Sequence, residues 1–176
     1  MTGNGDKRPS RLAQEFTDVF RAEHRDVRDT LLDLIDAFSA RDPERIEAAL
    51  GTTARLTGPH FRYEEESLYP SLVQIFGGEY IDKLLGDHDV AIGTAVRLVE
   101  LAEGPLSDAD VEEAVRLVRS VLPHVSDCDG LSIMVERLED DEIGRIFGTR
   151  ETAQEEDLGL LEWAERVRGR PAVVPS

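Results

Sequence analysis

The sequence predicts an all-α fold: an up-down-up-down antiparallel four-helix bundle with a short helical C-terminal extension. Three observations carry this. Apolar residues recur at three- and four-residue spacing through four long segments, capping and turn residues separate those segments, and no alternating strand pattern runs through the 176 residues.

The first helix spans 11–40, with Leu12, Phe16, Phe20, Val27, Leu31, Leu34 and Phe38 as its apolar stripe. Asp42-Pro43 supplies an N-cap followed by proline at the first helical position. The second helix runs through Ile46, Leu50, Leu56 and Phe61 towards Phe76, and Pro70 is expected to kink it or end it early. Gly77-Gly78 marks a turn. The third helix carries Ile81, Leu84, Ile92, Val96 and Val99 up to Gly104-Pro105. Ser107, with Asp110 three residues on, caps a fourth helix continued by Val111, Val115, Val118 and Leu122. Domain limits follow: a polar, disordered N-terminus at 1–10, the bundle at 11–140, and a helical extension with a loose tail at 141–176. Leu160, Leu161 and Trp163 give the extension an apolar face, expected to pack on the bundle or on a protein partner.

A net charge of −17 argues against nucleic acid or an anionic membrane surface as partner. The single cysteine, Cys128, excludes a disulfide framework and multi-cysteine metal patterns. No apolar run approaches the ~20 residues that span a bilayer, and MTGNGDKRPS has no apolar signal-peptide core. A soluble cytoplasmic protein is the expectation.

The chemistry rests on histidine. His24, His60, His88 and His124 are the only four, one per predicted helix, at separations of 36, 28 and 36 residues. Inward imidazoles on the facing helices of a bundle are how such folds build metal centres. His24 and His60 are each 18 residues from Asp42 and so share a level. His88 and His124 flank Pro105 almost equally. The His60–His88 step fits only if helix two ends early near Pro70. Glu64, four residues after His60, points to the same side of its helix. Glu65 and Glu66 are expected on a solvated face. In helix four, Asp127 and Cys128 lie closest to His124 in azimuth, and a π-bulge would be needed to turn Asp129 inward.

At these positions the chain resembles the hemerythrin-like, or HHE cation-binding, family over about residues 12–140. The resemblance lies in Glu-His24, His60-Phe-xx-Glu64-Glu65-xx-Leu68-Tyr69-Pro70, Asp-His88 and His124-xxxx-Asp129. It implies two non-haem irons, with His24 and His60 on one, His88 and His124 on the other, and Glu64 and Asp129 as bridging carboxylates. One iron, or zinc, is compatible with the same ligand types. The family's oxygen carriers pair two histidines in helix three, and the second position is Leu84 here. The His88 side is therefore expected to be one ligand short, with water, Asp87, Tyr80 or Cys128 as substitutes. That suits binding, sensing or reducing a small oxidant such as dioxygen, peroxide or nitric oxide better than stable oxygen carriage. A metal-degenerate helical interaction domain is the alternative. A ferritin-like iron oxidase is disfavoured because no histidine has glutamate three residues before it.

Overall fold

The computed structural model describes residues 9–170; most of the N-terminal segment expected to be disordered and the Pro-Ala-Val-Val-Pro tail lie outside them. Helix α1 (Arg11–Ala40) starts at Ser10, whose side chain accepts from the Ala13 N–H. It ends at Arg41 in the left-handed conformation, and α2 (Pro43–Tyr63) begins directly behind the Asp42 cap. The predicted capping box at Ser107 and Asp110 opens α5 (Asp108–Asp129), with both reciprocal bonds formed.

Of the two outcomes expected at Pro70, a kink or an early end, the early end does not occur: the run continues as far as Phe76. After Tyr63 the helix widens into a π-helical segment, Glu64–Leu68, and resumes as α3 (Tyr69–Phe76) with Pro70 in its first turn. Proline has no N–H and its ring collides with a carbonyl one turn back. A wide turn placed just before it absorbs both defects, and the Tyr69 N–H reaches back five residues to the Glu64 carbonyl. Gly77, at φ 82°, then makes the reversal into α4 (Gly78–Ala102), a conformation that an L side chain rarely tolerates. Beyond α5 the chain passes through a 3₁₀ segment, Gly130–Arg137, into α6 (Asp140–Glu156) and α7 (Leu160–Arg166).

α1, α2 with α3, α4 and α5 form the bundle. Its apolar interior divides into two main clusters. One gathers Phe16, Phe20, Tyr69, Leu72, Leu84 and Leu131 with Ile143 and Ile146 of α6. The other gathers Leu31, Leu34, Phe38, Ile46, Leu98 and Val118. Along α1, His24 falls between Phe20 of the first and Val27 of the second. The polar centre thus occupies a slot between two dry plugs.

The extension packs on its own bundle: α6 lies against α1 and α2, and α7 against α2 and α4. Trp163, expected from sequence to pack on the bundle or on a partner, is buried here against Phe61, Ala91 and Ile92. Gly58 permits this approach, since a Cβ there would stand 2.1 Å from the Leu158 carbonyl oxygen. Among the described residues no helix is long and apolar enough to cross a membrane. Gly58→Ala is expected to cost about 1–3 kcal/mol through overpacking, read as a lower urea midpoint with faster proteolysis near 157–159. An unchanged midpoint would contradict this close packing.

Candidate metal centre

The four histidines converge as two pairs. His24 and His60 have ring centroids 4.6 Å apart and His88 and His124 4.8 Å apart, each pair edge to face. Glu64 lies between the pairs and has no solvent exposure. Its Oε1 is 3.4 Å from His60 Nε2 and its Oε2 is 3.1 Å from His88 Nε2. These are ion-pair approaches without hydrogen-bond alignment: both Glu64 oxygens and His60 Nε2 are buried with no hydrogen-bond partner. A buried carboxylate left in that state costs several kcal/mol, about 1–3 for each unmade bond and more for a charge. Cations between Glu64 and the imidazoles would satisfy all three atoms, so the residues fit a metal. Two convergent sets result, His24–Glu64–Cys128 and Glu64–His88–His124, in which the potential ligand atoms lie within 4.8 Å of one another.

Each imidazole is held by its Nδ1, which leaves Nε2 for the centre. His24 Nδ1–H donates to the Phe20 carbonyl at 2.9 Å. His60 Nδ1 meets Glu23 Oε2 at 2.9 Å, His88 Nδ1 meets Glu65 Oε1 at 2.8 Å, and His124 Nδ1 meets Asp87 Oδ2 at 3.4 Å. The last three contacts share one design. A carboxylate beside a candidate ligand in sequence (Glu23 by His24, Glu65 by Glu64, Asp87 by His88) props the histidine of the next main helix. Such carboxylate–imidazole contacts fix ring orientation and raise ligand basicity in metal sites.

The same arrangement sets the protonation pattern. Burial, then the neighbouring His60 charge, bring His24 down to about 4. Burial would also lower His60, but Glu64 and Glu23 outweigh it and lift that imidazole to about 10. The second pair repeats this: His88 is raised despite its burial by Glu64 and Glu65, while burial lowers His124. Near neutral pH and without metal His24 is therefore neutral and His60 charged; His124 and His88 are shifted in the same two directions, and in each pair the histidine whose value is raised is the one that faces Glu64.

The remaining sequence-derived candidates fall as follows. Asp129 is at the C-terminal end of α5 with Oδ1 buried and unpartnered, 4.0 Å from Arg21 Nε, and its charge favours the imidazolium of His24. It is not in either convergent set. The wide turn considered for helix four occurs in helix two instead, and α5 stays regular to its end. Asp127 is exposed and pairs with Lys83 at 3.2 Å. Cys128 is buried with Sγ 3.4 Å from His124 Nε2, and burial keeps its thiol protonated, well above its ordinary value. Glu65 is not on a solvated face: its side chain is 9% exposed and committed to His88 and Arg168. Glu66 does face solvent. Leu84 is fully buried among apolar side chains, and Tyr80 is half-buried against the same cluster.

Tyr69 was not singled out by spacing. Its hydroxyl lies 3.1 Å from His88 Nε2 and 3.6 Å from Cys128 Sγ, beside the histidine of α4, the helix that has Leu84 in place of a second one. On a regular α-helix, residue i+5 lies about 140° from residue i; the i to i+5 closure of the π segment brings Tyr69 onto the side of Glu64.

A helical bundle with one inward histidine per main helix around a buried carboxylate is a metal-binding bundle by its donor set. Residues 15–131, roughly two thirds of the chain, match the hemerythrin HHE cation binding domain, and the chain belongs to that family. No curated protein and no solved structure matches it. The matched region ends before α6.

The His60 shift gives a pH signature in the metal-free protein. A folded value near 10, against 6.5 ordinarily, means that the imidazolium stabilises the fold fully below pH 6.5 and that this contribution is lost as pH rises towards 10. The urea midpoint of metal-free protein is expected to fall more steeply over that interval than that of His60→Gln. Parallel profiles would contradict the assigned environment.

Proposed function

We propose that the chain is a non-haem diiron protein that binds, senses or reduces a small oxidant: dioxygen, peroxide or nitric oxide. His24 and His60 would hold one iron and His88 and His124 the other, with Glu64 as the carboxylate shared between them and Asp129 as a second carboxylate at the end of α5. The single observation that carries this reading is Glu64, a fully buried carboxylate with both oxygens unpartnered and one facing each histidine pair.

When bound, ferrous ions supply the electrons and open coordination positions that a protein of this composition lacks. The side chains supply the rest. Phe61 stacks on His88 with centroids 3.7 Å apart, holding the ring and excluding water from that side. Leu84 offers no ligand, so the His88 half has fewer protein donors than a two-histidine helix would give. Tyr69 places a hydroxyl beside it, able to donate to an oxidant or to hold a proton there.

Access also supports a small neutral ligand. An apolar cavity of about 80 Å³, lined by Val27, Leu31, Phe61, Leu98 and Val118, reaches His124. Thr94, in the same lining, has a buried hydroxyl without a partner. Glu23, His60, Tyr63 and Arg150 line a separate, polar cleft, which would give protons their own way in.

Anaerobic reconstitution with Fe(II) is expected to load two irons per chain. Glu64→Ala should lose both and His60→Gln the one it shares with His24, measured as metal content after desalting. Full iron retention in both variants would refute the assignment, and one iron per wild-type chain would assign a mononuclear centre.

A further inference from the structure

We propose that Arg150 and Arg168, both in the C-terminal extension, are positioning residues of the metal centre, each locking the carboxylate that orients one of its histidines. The proposal rests on the metal-binding reading above and adds to it a role for the chain beyond the matched domain.

The two contacts are built alike. Arg150, in α6, places Nε at 2.7 Å and Nη2 at 2.6 Å from Glu23 Oε1. That leaves Glu23 Oε2 for His60 Nδ1 at 2.9 Å and for the Tyr63 hydroxyl, which donates at 2.7 Å. Arg168, just past α7, donates from Nε to both Glu65 oxygens at 3.0 and 2.9 Å, while Glu65 Oε1 meets His88 Nδ1 at 2.8 Å. A second branch of Arg168 pairs with Asp89 at 2.7 Å, and the guanidinium lies 5.7 Å from the Trp163 ring centre. Its side chain is only 2% exposed.

A buried guanidinium is costly to desolvate and is retained where its rigid fork fixes a carboxylate. An ion pair that only ties α6 to the bundle need not touch a carboxylate that contacts a histidine, and one already exists: Arg62 pairs with the half-exposed Glu156, 2.5 Å apart. Arg150 and Arg168 differ in the carboxylates they hold, and Arg168 also in its burial. Each holds a carboxylate charged and aimed, so that the histidine beneath keeps its Nδ1–H outward and its Nε2 towards Glu64. The third carboxylate of the set, Asp87, has only Lys83 of its own helix, at 2.8 Å, and its reach to His124 is the longest of the three. The extension thus serves one histidine of each pair.

The test uses full-length protein with Arg150→Gln, Arg168→Gln, the charge-retaining Arg168→Lys, and Arg62→Gln as a strap control. The first readout is ¹⁵N NMR of the metal-free histidines. Arg150→Gln is expected to lose or shift the slowly exchanging Nδ1–H resonance of His60 alone, and Arg168→Gln that of His88 alone. Arg168→Lys should fold like wild type and shift the His88 signal less. The second readout is Co²⁺ affinity by chelator competition, expected to weaken about tenfold at one site in each glutamine variant and not at all in Arg62→Gln. Unchanged resonances in both glutamine variants, or equal losses in Arg62→Gln, would overturn the proposal. If wild type binds no Co²⁺, the metal-binding reading fails, and the NMR result alone decides whether the two arginines position the histidines.

Discussion

Glu64 is an ionised carboxylate in the dry centre of a helical bundle, and the site is arranged around the need to offset its charge. Its value is held well below the ordinary carboxylate range: burial opposes ionisation, and the neighbouring His60 and His88 imidazoliums overcome it. Those imidazoliums are in turn sustained by Glu23 and Glu65, and those by Arg150 and Arg168. Charge alternates outward from the centre, acid against base, until it reaches the extension. In the metal-free protein protons hold this network together; metal ions bound between Glu64 and the histidines would displace them, which couples loading to proton release.

The backbone serves the same constraint. An α-helix from Pro43 to Phe76 could aim His60 and Glu64 inward, but not Tyr69 as well, and it would meet Pro70 with an unsatisfied turn. The π segment resolves both, and it lies at the candidate ligands themselves. The two apolar clusters on either side then confine the buried polar residues to a layer between them.

The long helices were legible because each repeats one signal many times: the stripe from Phe16 to Phe38, the caps at Asp42 and Ser107, the turn at Gly77. The four histidines and Glu64 were legible because helical spacing fixes azimuth. The level of the His60–His88 pair was not. The helix does not end early at Pro70, and His88 meets Glu64 and Glu65, one turn beyond His60, which counting from the Gly77 turn does not show. The place of Tyr69 was hidden because a π turn leaves unchanged the apolar pattern that periodicity reads. The props at Glu23 and Asp87 left a local trace, an acidic residue directly before His24 and His88, but spacing within one helix says nothing of contacts to the next. Arg150 and Arg168 left none, since α6 and α7 meet the centre only through tertiary packing, more than a hundred residues from Glu23 and Glu65.

If one carboxylate organises two metal positions, anomalous diffraction from crystals of the metal-loaded protein will show two peaks flanking Glu64, one by His24 and His60 and the other by His88 and His124, about 3.5–4 Å apart as in other paired-metal sites. A single peak, or metal bound away from Glu64, would contradict it.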